Sequence, residues 1–100
     1  MSAAPDLQTV LDVLREERPK ARESGIELVG VVGSVARGDA GPDSDVDVVY
    51  DVVGKGVSLF DIGGVLMDLQ KRLGRQVDMI DLSVVKPMVR KFMERDFVPV

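Results

Sequence analysis

The stretch Gly33–Val52, "GSVARGDAGPDSDVDVVYDV", decides how the rest of the chain is read. It follows "IELVGVV", and the whole run Ile26–Gly33 is rich in aliphatic and β-branched residues and bounded by glycine, the pattern of a buried strand ending at Gly33. "SVARG" reads as one helical turn with Ser34 as its N-cap, and "GDAGPDS" as a loop. A second strand then starts near Asp45, although aspartate is among the poorest strand formers. Side chains two apart on a strand share a face. Asp45 and Asp47 therefore project together, while Val46, Val48, Tyr50 and Val52 point the other way. The passage from Gly33 to Asp45 is too tight for a parallel crossover, so the first two strands are expected to be antiparallel.

Working outward, Leu7, Val10, Leu11 and Leu14 recur at helical spacing behind Pro5 and Asp6, which predicts a helix from about Asp6 to Glu17, closed by Pro19. A clearer helix runs over Ser58–Leu73 on an apolar face of Leu59, Ile62, Leu66, Leu69 and Leu73. Ser58 and Asp61 resemble a capping box, and Gly74 is the stop. Gly63 and Gly64 weaken that helix by about 1 kcal/mol each relative to alanine, so they read as places for close packing on the sheet. "QVDMIDLS" is a third strand, and the long helix before it implies parallel pairing with the second. "KPMVRKFMER" is a last helix, with Pro87 in its first turn and Met88, Val89, Phe92 and Met93 facing inward. The expected fold is α/β, or α+β by some classifications: one domain over residues 1–100, with a small mixed three-stranded sheet flanked by about four helices.

Composition narrows the function. The 100 residues hold 13 Lys and Arg against 17 Asp and Glu, a net charge of −4, with three Phe, one Tyr and no Trp. A general grip on long nucleic acid needs a basic surplus or interleaved aromatics, so none is expected. No cysteine is present to form a disulfide, and no apolar run suits a signal peptide or a bilayer span; the expectation is a cytoplasmic chain that does not engage membranes.

Two carboxylates side by side repel unless a cation neutralises them, and a hard divalent ion such as Mg²⁺ fits oxygen ligands while keeping waters and phosphates in its shell. The third strand offers Asp78 and Asp81, which face opposite ways, so only one can join the pair. Asp78 is preferred because it lies near the strand's start, but spacing alone leaves both open. Gly33 lets a phosphate approach the backbone, Ser34 adds a hydroxyl donor, and Arg37, one turn on, suits a terminal phosphate. Each part alone is commonplace: Gly-Ser after a strand is most often a turn, Asp-x-Asp after "GPDS" is most often turn and cap chemistry, and Asp51 reads as a solvated strand-edge residue.

Together, Gly33-Ser34, then Asp45-Val46-Asp47, then Asp78 on a later strand resemble the signature of the polymerase-β-type nucleotidyltransferases. "GSVARGDAGPDSDVD" is similar to the minimal nucleotidyltransferases found as antitoxins beside HEPN-domain toxins. The resemblance implies that Gly33, Ser34 and Arg37 hold the triphosphate of ATP. It also implies that Asp45 and Asp47 bind two divalent ions, Mg²⁺ or alternatively Mn²⁺, and that the catalytic set is completed by Asp78 rather than Asp81. The implied reaction is attack of a hydroxyl on the α-phosphorus with loss of pyrophosphate, the acceptor being a tyrosine of a partner HEPN toxin. With no histidine in the chain, a carboxylate or solvent must take the proton. The rival reading is an antitoxin that neutralises its toxin by binding alone on the same fold.

Overall fold

A computed structural model describes residues 4–85 and 87–100, with only the backbone of Met88, Val89 and Phe92. In chain order it contains α1 (Leu7–Glu23), β1 (Ile26–Val32), α2 (Gly33–Arg37), β2 (Val46–Val52), α3 (Leu59–Leu73), β3 (Val77–Asp81), a 3₁₀ turn (Leu82–Val84), α4 (Pro87–Asp96) and β4 (Val98–Pro99). The strands form one mixed sheet in the order β3-β2-β1-β4. As expected, β1 and β2 are antiparallel, and β2 and β3, joined through α3, are parallel. Among the described residues no helix is long and apolar enough to cross a membrane.

The core lies on one face of the sheet. Val10 and Leu14 of α1 and Val65 and Leu69 of α3 pack there against Ile26, Leu28, Val31, Val46, Val48, Tyr50 and Val77 from the strands. Leu14, Leu28 and Leu69 are fully excluded from solvent, and burial of a leucine side chain contributes about 1.5–3 kcal/mol.

Both long helices have sequence-encoded starts. Asp6 Oδ2 accepts from Thr9 N at 3.1 Å. At α3 the capping box is complete: Ser58 N donates to Asp61 Oδ2 at 2.9 Å while Asp61 N donates to Ser58 Oγ at 3.3 Å. Gly74 ends α3 in the left-handed conformation at φ 66°, where a side chain would be strained.

Five expectations are corrected. First, α1 does not stop before Pro19 but runs through it to Glu23. The hydrogen bond that proline cannot donate is offset by burial of Ala21 and by Arg18 and Arg22, which lie 2.8 and 3.3 Å from the two oxygens of Glu27 on β1. Second, Leu59 is 85% exposed at the first position of α3; the buried stripe is centred on Val65 and Leu69. Third, Gly63 and Gly64 face open space, so they are not close-packing sites. Fourth, Val32 rather than Ser34 occupies the N-cap of α2, because the chain turns directly from strand to helix at Gly33. Fifth, the sheet has a fourth strand. β4 is two residues long and carries Pro99, a residue suited to a sheet edge. The inward direction expected for Met88, Val89 and Phe92 lies outside the described residues, whereas Met93 is half-buried.

β4 docks where β1 is irregular. Gly30 pairs with Pro99, Val100 N donates to Val29 O at 3.0 Å, and a Cβ at position 30 would run into the Phe97 ring and the Val98 carbonyl. Gly30→Ala should therefore destabilise the fold by about 1–3 kcal/mol through overpacking. Urea unfolding checks this, and a midpoint equal to wild type would show that the contact carries no such strain.

Candidate active site

Asp47 is set by pairing on both sides. In the antiparallel ladder it lies opposite Val32, the last residue of β1, and in the parallel ladder it lies beside Asp78. Residues in register on neighbouring strands share a face, so Asp47 and Asp78 project together. Asp81 registers instead with Tyr50, which is buried on the core face. Its carboxylate accepts from Ser83 N at 2.9 Å and from Ser83 Oγ at 2.7 Å, capping the 3₁₀ turn. The choice that spacing left open is thus made by register, which puts Asp78 rather than Asp81 beside Asp47.

The electrostatics follow from this placement. The half-buried Asp47 carboxyl is pushed above the usual carboxylate range. Desolvation is the main cause, followed by the charge of Asp78, a hydrogen bond shared with it, and the charge of Asp45; Arg37 opposes the shift. Asp45 lies just before β2 and, like Asp78, is exposed. Gly33 closes the other side at φ 78°, and a Cβ there would overlap Asp47 Oδ2. Glycine is required here by its left-handed backbone and by the carboxylate pressed against it. Ser34 follows, partly buried within the first turn of α2. Since α2 has only five residues, its backbone dipole adds little to the Gly33-Ser34 turn.

Arg37 is already engaged. Its Nε donates to Asp39 Oδ2 and its Nη1 to Asp96 Oδ2, both at 3.1 Å, tying α2 to the following loop and to the end of α4. These two carboxylates raise the guanidinium above its ordinary value. Sequence reasoning did not find Asp96, whose connection to Arg37 across the chain leaves no periodic trace. It also missed Arg75, whose Nη1 donates at 3.1 Å to the carbonyls of Pro42 and Ser44 in the loop leading to Asp45.

Among the described residues no three acidic side chains converge closely enough to form a ready-made metal cage. The arrangement still fits a hard divalent cation. Asp47 and Asp78 lie together with the Arg37 charge only partly offsetting the rise of the Asp47 carboxyl, and Mg²⁺ commonly takes one or two carboxylates while water and substrate phosphates fill its shell.

Carboxylates on two parallel neighbouring strands beside a Gly-Ser turn form an arrangement able to face a divalent ion and an anion together. Residues 7–99 match the nucleotidyltransferase domain family, and the chain belongs to it. It is thus an enzyme of the class that acts on nucleotides. It is 33% identical over 93 residues to protein adenylyltransferase MntA of Thermococcus cleftensis, across 92% of this chain and 93% of that protein. A solved structure described as a minimal nucleotidyltransferase superposes with a TM-score of 0.79 at 30% identity, over 95% of this chain and 96% of its own. The fold is also similar, at TM-score 0.58 and 14% identity, to a chain of the complex between tri-AMPylated Shewanella oneidensis HEPN toxin and MNT antitoxin, over 88% of this chain and 69% of that one.

The raised Asp47 carboxyl gives a pH signature. The folded protein holds this proton more tightly than the unfolded chain. The associated stabilisation is complete below the ordinary carboxylate value of 3.8 and is lost as pH rises through the raised folded value. In chelator, Asp47→Asn should therefore melt above wild type at neutral pH, with the gap closing under acid conditions. Calorimetry across pH checks this, and a variant less stable than wild type at neutral pH would contradict it.

Proposed function

We propose that the chain transfers AMP from ATP to a tyrosine hydroxyl of a HEPN toxin, acting in the cytoplasm as that toxin's antitoxin. In this reading residues 1–100 work as one catalytic domain. The observation that carries the reading is the position of Asp47, which lies in register with Asp78 on one side and abuts Gly33 on the other. Carboxylates and phosphate-binding backbone then meet at one point. The adenylyltransferase relative and the HEPN toxin complex of the similar fold support this choice of group and acceptor.

The Gly33 and Ser34 amides and the Ser34 hydroxyl hold phosphate oxygens and orient the α-phosphorus. Arg37, on release from Asp39 or Asp96, contacts the triphosphate. Asp45, Asp47 and Asp78 would hold Mg²⁺, or alternatively Mn²⁺, which supplies neutralisation of phosphate charge when bound. The acceptor oxygen forms a bond to the α-phosphorus as the bond to the β-phosphate bridging oxygen breaks, releasing pyrophosphate. Asp78, the exposed carboxylate of the pair, positions the hydroxyl and takes its proton or passes it to water.

The rival reading, neutralisation by binding alone, draws on the lack of a preformed three-carboxylate cage among the described residues. One experiment separates the two. With the partner toxin, ATP and Mg²⁺, wild type should add one AMP to a toxin tyrosine, read by mass spectrometry. Asp45→Asn with Asp47→Asn should reduce the rate by at least about a thousandfold and keep the fold. If that double variant still neutralises the toxin stoichiometrically, and wild type leaves the toxin unmodified, binding alone accounts for the activity.

A further inference from the structure

We propose that Arg75 is a positioning residue for the carboxylate site, holding the loop that delivers Asp45 against the strand that delivers Asp78; this rests on the nucleotidyl-transfer reading above. Asp45 precedes the first residue of β2, so the sheet ladder holds the peptide after it, through Val46 N to Gln76 O, and not the one before it. Its direction is set by the loop before it. That loop closes locally, with Ser44 N donating to Gly41 O at 3.1 Å and Gly41 N to Ser44 Oγ at 2.9 Å. Neither bond ties the turn to the rest of the protein.

Arg75 makes that tie. Its Nη1 donates to Pro42 O and to Ser44 O, each at 3.1 Å, and Ser44 is the residue immediately before Asp45. Arg75 itself precedes β3, where Asp78 follows shortly after, and Val46 N donates to Gln76 O at 3.1 Å as the first link between the two strands. One side chain and one backbone bond thus fasten together the starts of β2 and β3, which carry all three carboxylates. A charged donor bound to two carbonyls resists fraying more than a neutral one, and the fixed guanidinium plane lets one nitrogen serve both acceptors.

The test uses the full chain with Arg75→Ala and Arg75→Lys, and reads two quantities besides turnover. Without ligand, amide exchange at residues 44–46 should quicken about tenfold in the alanine variant, while exchange at Val48 and Val49 stays as in wild type. The Mg²⁺ concentration giving half-maximal binding of a non-hydrolysable ATP analogue should rise about ten- to a hundredfold, the range seen when residues supporting metal ligands are removed. Arg75→Lys should fall between wild type and alanine in both measurements. An unchanged Mg²⁺ midpoint in the alanine variant overturns the proposal even if exchange quickens. If Arg75→Ala does not fold, a lysine variant identical to wild type in both measurements overturns it. If wild type itself binds no nucleotide with Mg²⁺, the nucleotidyl-transfer reading falls, and unchanged exchange at residues 44–46 would remove the clamp as well.

Discussion

The site depends on the register of Asp47. Pairing with Val32 brings the carboxylate to Gly33, and pairing with Asp78 adds the second acid. Because side chains alternate along a strand, a slip of one residue in β2 would turn Asp47 into the core and Val48 out of it. The apolar residues Val46, Val48 and Tyr50 hold the register, since they are buried on the opposite face against α1 and α3. Packing on one side thereby fixes chemistry on the other. Like charges can be kept together here because the energy that holds the strand comes from elsewhere.

Much of this was legible in the chain. Alternation placed Asp45 and Asp47 on one face, the short passage after Gly33 gave antiparallel pairing, and the stretch through α3 gave parallel pairing. These are local signals carried by spacing and loop length. What spacing could not supply was relative register, so Asp78 and Asp81 stayed open until β3 was seen beside β2. Gly33 was recognised as special, but the structure adds a reason invisible in sequence: the Asp47 carboxylate occupies the space a side chain there would need.

Several of the departures from the sequence reading arise in tertiary relations that override or escape local preference. Pro19 should end a helix, yet Glu27 on β1 draws in the arginine before it and another beyond it. Leu59 fits the helical period of α3, but period alone does not say where the neighbouring helix begins to cover it, and the residue stays exposed. The sequence also left out the ion pair of Arg37 with Asp96, which spans too much chain to announce itself. For Pro19 and Arg37 the partners lie on other elements, where no one-dimensional pattern reaches.

The overlooked strand β4 matters for the same reason as Asp47. In β1 the pairing runs Ile26 with Val52 and Leu28 with Tyr50, then shifts so that Gly30 meets Val49 and Val32 meets Asp47. Val29 is the extra residue of a bulge, and its carbonyl accepts from Val100 beyond β4, while Gly30 pairs with Pro99. The shift changes which side chains face the core: Ile26 and Leu28 before it, Val31 after it. Continued without the bulge, the first register would set Val31 rather than Val32 opposite Asp47, and Gly33 would pass beyond that carboxylate. The glycine that clears Phe97 and the short strand that covers the bulge thus help determine which residue meets Asp47, at the opposite end of β1 from where the strand begins.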